Sequence, residues 1–536
     1  VVDSYPVLSL VPPLLAIGLV VATRKVVLSL GLGVLSAAFL VADGSPWGTV
    51  ELVAGAFRDI FWTDEGLNTT YVYILLFTLA LGVITAFIMM SGGTRAFADW
   101  AQERIGSRRG ATILPALLGA AIFIDDYFNA LAVGQVSRPV TDRYRVSRAK
   151  LTYLVDSTSA PVAVLVPFSS WGAYILGIFG PIVAESSLEA SDVGAFVRAA
   201  AANYYAFGAL ALVALVVALG VDLGPMRREE RRALLDGDTY DESEEIPGQL
   251  AEDLPVHRPG AKRALIVPFL LLVLGVLAGI VWTGRREGGS WSVIDIFAST
   301  DVTFALIIGG ALGLASALYY YVRDTSENPK FGRATFGRGW WEGVKSMWPA
   351  VSILLLAWML GALIEQLGTG DFLGGLVEDS SISAAWLVPT VFLLAAAMAF
   401  ATGTSWGSFG LLLPIAGGIV NSLDAPELLL PALGAVLAGA VAGDHASPIS
   451  DTTILSSTGA GCNVITHVTT QLPYALLVVA SAALGYVVLA LTGSTAVGLL
   501  VTLALVAAAG VGTHLAVGSA CAESEVPDYL AESQDA

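Results

Sequence analysis

Thirteen long apolar stretches separated by short polar connections leave this chain few ways to fold. Eleven of them, near 7–22, 26–42, 71–91, 150–180, 196–220, 264–283, 301–322, 347–366, 430–460, 470–492 and 495–517, are long enough to cross a hydrocarbon layer of roughly 30 Å, allowing for tilt. Two more, 110–135 and 384–418, are interrupted by polar residues. Charged residues make up 13% of the 536, against about 25% in soluble domains, too few to cover a soluble globule. The reading is an all-α polytopic membrane protein. Val7 to Ala22 has no basic leader or cleavage site, so it reads as a span rather than a signal peptide.

Basic residues mark cytoplasmic loops. They cluster as Arg24-Lys25, as Arg95 to Arg109, as Arg138 to Lys150, as Arg227 to Lys262 and as Arg323 to Lys345. A crossing at 110–135 would put one of two flanking basic clusters outside, so this segment reads as a re-entrant helical hairpin. Acidic residues frame 384–418 instead (Asp371, Glu378, Asp379, Asp424 and Glu427), and a second hairpin is expected there from the opposite side. That gives about 11 crossings plus two hairpins, with the N-terminus outside and the C-terminus inside.

Each half then holds a hairpin followed by a long interrupted span, 150–180 and 430–460, running in opposite directions. Inverted structural repeats are the expectation, each with a re-entrant hairpin and a discontinuous transmembrane helix. Pro161 with Ser169-Ser170-Trp171-Gly172-Ala173 echoes Pro448 with Ser456-Ser457-Thr458-Gly459-Ala460 at one offset. The expected parts are a first half at 1–220, a charged cytoplasmic linker at 221–263 read as flexible, and a second half at 264–492. An extra span with an acidic tail fills 493–536. The segment 46–62 reads as a short interfacial helix.

Charge inside the hydrocarbon costs about 2.5–3.5 kcal/mol per residue at a helix centre and is kept where it faces protein or a watery cavity. Four segments combine polar groups with helix breakers, the pattern from which secondary transporters build midplane sites. Asp125 and Asp126 with Asn129 stand at the tip of the first hairpin. They read as a proton carrier or cation ligands, or as caps of a half-helix. Asp156-Ser157-Thr158-Ser159-Ala160-Pro161 offers a carboxylate and three hydroxyls before a proline, where unwinding would free carbonyl oxygens for a hard cation. The hydroxyls serve equally to repay a kink. Thr402, Thr404 and Ser405 lie between Gly403 and Gly407 in the second hairpin, either as neutral oxygens or as helix-packing residues.

The richest segment is Gly443 to Ser457, where Asp444, His445 and Asp451 accompany six hydroxyls, among them Ser447, Ser450 and Thr452, around Pro448. Histidine titrates near neutral pH and is suited to gate or relay protons. No second histidine has ligand spacing, and His467 is expected at the cytoplasmic surface, which argues against a metalloenzyme. No nucleophile and base pair is recognisable either, so the chain is not read as an enzyme. Cys462 and Cys521 are too few for a disulfide framework.

The run from Gly443-Asp444-His445 to Ser456-Ser457, with Gly461 to Tyr474 after it, resembles the signature of the NhaC family of Na+/H+ antiporters. Asp125-Asp126-Tyr127, Asp156 to Pro161 and Thr402 to Gly407 resemble that family too, and the similarity covers roughly 70–220 and 347–492. The resemblance implies the ion transporter superfamily, with inverted repeats, two hairpins, an elevator movement and a homodimer. Relatives include Na+/H+ antiporters, a malate/lactate exchanger and amino-acid carriers.

The function expected is extrusion of Na+ in exchange for protons by competition at Asp125, Asp126, Asp156, Asp444 and Asp451, with Na+ held at Asp156, Asp444 and Asp451. Neutral ligands would come from Thr402, Thr404, Ser447, Ser450 and backbone carbonyls. The alternative is a carrier of a small organic acid or amino acid coupled to Na+ or H+. Organic anions usually want arginine or opposed helix N-termini, and no Lys or Arg lies inside the four segments, which favours the cation. Na+ and H+, with Li+ as a congener, are the expected partners, and no cofactor is called for. The charge of 27 minus 45, or −18, excludes nucleic acid as a partner. With five lysines only, Lys25, Lys150, Lys262, Lys330 and Lys345, it suggests the plasma membrane of a salt-adapted prokaryote.

Overall fold

Apolar runs that cannot leave backbone groups unpaired in lipid fold as helices, and helices account for nearly all regular structure here. The computed structural model describes residues 5–517, apart from 24, 65, 124–125, 168, 185, 187, 189–191, 245–253, 290, 294–295, 297–298, 370–371, 373–383 and 423–424. Asp125, the framing acids Asp371, Glu378, Asp379 and Asp424, Arg24 and Cys521 therefore lie outside the described residues, as does the tail from 518.

The order begins with α1 (Val11–Thr23), α2 (Val26–Val41), α3 (Pro46–Phe61), α4 (Thr69–Met90) and α5 (Gly93–Gln102). There follow α6 (Arg108–Ala121), α7 (Asp126–Arg143), α8 (Arg148–Ala163), α9 (Ser170–Ala184), α10 (Asp192–Ala201), α11 (Tyr204–Leu219) and α12 (Pro225–Leu235). The remainder comprises α13 (Arg263–Gly288), α14 (Val302–Thr325), α15 (Arg333–Gln366), α16 (Ala384–Thr402) and α17 (Ser405–Ser422), then α18 (Pro426–Ala446), α19 (Asp451–Ala460), α20 (Val464–Thr492) and α21 (Thr495–Val517).

Among the described residues eight helices, α4, α13, α14, α15, α16, α18, α20 and α21, are long and apolar enough to cross a membrane. A ninth span results if α10 and α11, bent by 59°, are counted as one. The expected spans at 7–22 and 26–42 are shorter apolar helices, and 46–62 is the helix α3, with Trp47, Val50 and Phe57 exposed. Where hairpins are expected the chain forms two packed helix pairs, α6 with α7 and α16 with α17. The interrupted spans are broken, α8 from α9 and α18 from α19.

Two apolar cores organise these elements. One gathers α8 to α11 with α16, α17, α18 and α20. The other gathers α2, α4 and α13 to α15, and α7 and α19 reach into it. Small residues let backbones approach closely. A Cβ added at Gly439 or Gly443 of α18 would stand 2.1 Å from the carbonyl oxygen of Phe392 or Ala396 on α16.

Over the described residues 221–244 the linker departs from its expected flexibility. Its helix α12 buries Met226, Glu230 and Leu234, and two of its acids, Asp222 and Glu230, are paired inward. Lys150 Nζ donates to Asp222 Oδ1 at 2.7 Å and to Glu230 Oε2 at 3.2 Å, while Arg108 pairs with the same Glu230 oxygen. The Ser147 N–H donates to Glu230 Oε1 at 2.8 Å. Charges taken from water in this way persist only when paired and hydrogen-bonded. The segment is thereby fastened to the base of the first hairpin and to the start of α8.

Candidate functional site

Pro448 has no N–H to donate and steers Ser447 to extended backbone, so α18 stops at Ala446. Ser450 then caps α19, accepting from the Thr453 N–H at 3.4 Å. Asp444 and Asp451 thus sit in the last turn of one helix and the first turn of the next, both buried. The two ends are electrostatically unequal. An N-terminal first turn favours the Asp451 carboxylate, whereas the C-terminal end of α18 disfavours the Asp444 one.

Donors from elsewhere offset that deficit. Ser450 donates to Asp444 Oδ1 at 2.5 Å, and Ser405, at the start of α17, donates to Oδ2 at 2.8 Å. The second hairpin is placed for this by Gly403, whose φ of +72° and closeness to Ile449, 2.6 Å from an added Cβ to the carbonyl oxygen, admit no side chain. Ser447 secures the opposite side of the break by donating to the Phe400 carbonyl at 2.8 Å. Thr452 shares a hydrogen bond with Ser450 at 2.9 Å.

Asp451 is served from the first hairpin. The Tyr127 hydroxyl donates to its Oδ2, and the Thr452 N–H donates to Oδ1 at 2.8 Å. Asp126, next to Tyr127 in sequence, is buried. Asn129 spends its amide on the hairpin itself, donating to the carbonyls of Gly119 at 2.6 Å and Ile122 at 2.8 Å.

Asp156 of α8 is the second centre. Its Oδ1 accepts from Ser456 at 3.0 Å, and its Oδ2 accepts from Gln471 at 2.6 Å, with His467 Nε2 at 3.3 Å and His445 Nε2 at 3.6 Å. His445 also meets Ser157 through Nε2 at 3.0 Å and Tyr205 through Nδ1 at 2.6 Å. Here the expectation for His467 is corrected. It is fully buried against Asp156 rather than at the surface, because α20 begins at Val464 and turns that face inward.

Unwinding at Pro161 is likewise corrected, since α8 continues helical to Ala163 and the break follows it. Thr158 and Ser159 donate within their own helix, to the backbone carbonyls of Leu154 at 2.7 Å and Asp156 at 2.9 Å. Ser169 caps α9 through the Gly172 N–H at 2.9 Å. Thr402 donates to the Thr404 carbonyl at 3.3 Å, and Thr404 accepts from the Trp406 N–H at 3.3 Å, both within the hairpin turn. Beyond that turn Trp406 meets Trp171 and Tyr174 of α9, with ring centroids 5.7 and 4.9 Å apart.

Among the described residues no three His, Cys, Asp or Glu side chains form a cluster able to hold a metal ion. Residues the sequence reading passed over are Tyr127, Tyr205, Ser456, His467 and Gln471. Four of these lie within the quoted motifs, but their partners are supplied by other helices.

The family model described as the Na+/H+ antiporter family matches residues 162–491. An uncharacterised protein of Haemophilus influenzae is 43% identical over 505 residues, 93% of this chain and 94% of that protein. A second protein of that organism, named an uncharacterised Na+/H+ antiporter, is 37% identical over 118 residues, 22% of this chain and 23% of its own. The malate-2H+/Na+-lactate antiporter of Bacillus subtilis is 36% identical over 137 residues, 24% of this chain and 27% of its own.

Proposed function

The chain belongs to the Na+/H+ antiporter family, and from that premise we propose that this secondary transporter extrudes Na+ in exchange for protons at the aspartates of the broken helix α18–α19. One observation carries the reading. Two buried carboxylates, Asp444 and Asp451, face the same break from opposite helix ends, and hydroxyls of two different hairpins hold them. Ser405 and Ser450 donate to Asp444. When Na+ arrives, the same hydroxyls rotate and present their lone pairs to it. A proton on the carboxylate removes the charge that attracts Na+, so the two ions compete and each expels the other. Asp156, held by Gln471, Ser456 and the two histidines, orders α8, α18, α19 and α20 around that exchange.

In this reading the halves at 1–220 and 264–492 are inverted repeats, and the body carrying the breaks moves as an elevator within a homodimer. The setting is the plasma membrane of a salt-adapted prokaryote.

A second reading draws on the aromatic cluster of Trp171, Tyr174 and Trp406 beside Ser405, a surface suited to an organic solute. It is a carrier of a small organic acid coupled to Na+, as the name of the Bacillus subtilis relative suggests for that protein.

The site is tested by Asp451→Asn and Asp444→Asn in proteoliposomes. Each should abolish Na+-driven pH change while the detergent-extracted protein stays monodisperse. Unchanged transport in either would remove that aspartate from the site.

A further inference from the structure

Asp451 is met by two residues outside its own helix. Tyr127, half-buried on α7, donates its hydroxyl to Oδ2. Trp358 of α15 also reaches the same carboxylate with a side-chain hydrogen bond and carries Tyr71 of α4 stacked on it, with ring centroids 4.4 Å apart. Asp451 therefore stands at the seam between the broken helix and the helices of the second core, where α15 packs on α19.

We propose that Tyr127 sets the affinity of the cation site, as a latch whose hydroxyl occupies the lone pair of Asp451 that an incoming ion must take. The inference rests on the Na+/H+ reading and deepens it. A serine hydroxyl turns freely about its Cβ–Oγ bond, so Ser405 and Ser450 can swing from donor to ligand. Conjugation instead holds a phenol O–H in the plane of its ring, and Tyr127 keeps its hydrogen on the carboxylate where a cation would sit. Charge-assisted bonds of this kind are among the stronger ones, and this one must break before Oδ2 binds Na+. The latch thus opposes entry of the ion and favours its release. The hydroxyl belongs to the first hairpin and the carboxylate to the second broken helix, so each opening breaks one contact between them while the close packing of α7 on α19 at Gly134 and Gly459 remains.

Tyr127→Phe keeps the ring and deletes the hydroxyl. In proteoliposomes the variant should show a Na+ KM several-fold below wild type and a reduced kcat, because Na+ enters more easily and leaves more slowly. A KM unchanged or raised overturns the latch. Wild-type protein measured alongside separates the two claims. If it exchanges no Na+ for protons the functional reading fails, and if it does while the variant matches it only the latch fails. Should the variant lose transport, the Na+ concentration giving half the Na+-induced rise in Tm is compared in detergent. A lower value than wild type supports the latch, and an equal or higher one overturns it.

Discussion

Gln471 donates through its amide nitrogen to Asp156 Oδ2 at 2.6 Å, and the same nitrogen donates at 2.6 Å to the carbonyl of His445 near the end of α18. One side chain therefore satisfies both a buried carboxylate and a carbonyl beside the break. Gln471→Leu leaves both acceptors short of a donor, and an unmet buried group costs about 1–3 kcal/mol. The variant should unfold at lower temperature in detergent than wild type, and an unchanged Tm would show that the amide bonds contribute nothing net.

Two glycines of the second hairpin should respond differently to alanine. At Gly403 the backbone is left-handed and the added Cβ meets the Ile449 carbonyl oxygen at 2.6 Å, whereas at Gly407 the nearest atom is Thr404 Cγ2 at 3.8 Å. Left-handed backbone alone costs an L-residue about 1–2 kcal/mol. Gly403→Ala should lower Tm and abolish transport, with Gly407→Ala close to wild type in both assays.

The hydroxyls divide in the same manner. Ser405 and Ser450 donate to Asp444, and Ser159 donates within its own helix. Each of the first two is proposed to turn an oxygen lone pair to Na+, and about 1.4 kcal/mol of lost binding is tenfold in affinity, so Ser405→Ala and Ser450→Ala should raise the Na+ KM about tenfold. Ser159→Ala should leave it unchanged, and Na+ titration of transport in vesicles distinguishes the three.

Acid should loosen the linker. Burial pushes the Glu230 carboxyl up, but Arg108, Lys150 and the Ser147 N–H push it down by more, from 4.5 to about 2. A value lowered by folding means that the stabilisation is complete above pH 4.5 and is lost as pH falls toward 2. Protease cleavage within 221–244 should therefore accelerate over that window. Glu230→Gln takes the shared carboxylate from buried Lys150 and half-buried Arg108, and breaking a buried pair typically costs about 3–5 kcal/mol, so cleavage should be fast at neutral pH with little further dependence on acid.

The helix breaks and the helix pairs were legible because proline, glycine and misplaced charge are local signals. Pro448 and the acids beside it marked the break in α18–α19, and the interruption of 110–135 marked the pair α6–α7. Pro161 misled by three residues, because a proline near a helix end removes one hydrogen bond without stopping the next turn. His467 and the linker were misread for one shared reason. Their burial depends on partners distant in sequence, Asp156 for the histidine and Arg108 and Lys150 for Glu230, and composition reports only that a group is polar. Asp125 lies outside the described residues.

The most direct test reconstitutes the wild-type protein in vesicles, imposes a Na+ gradient without a proton gradient, and records internal pH with and without malate or an amino acid. Antiport predicts that internal pH changes when Na+ or Li+ is supplied alone, and that added solute leaves the rate unaltered. A pH that never responds to either cation, with labelled solute entering alongside Na+, would contradict it.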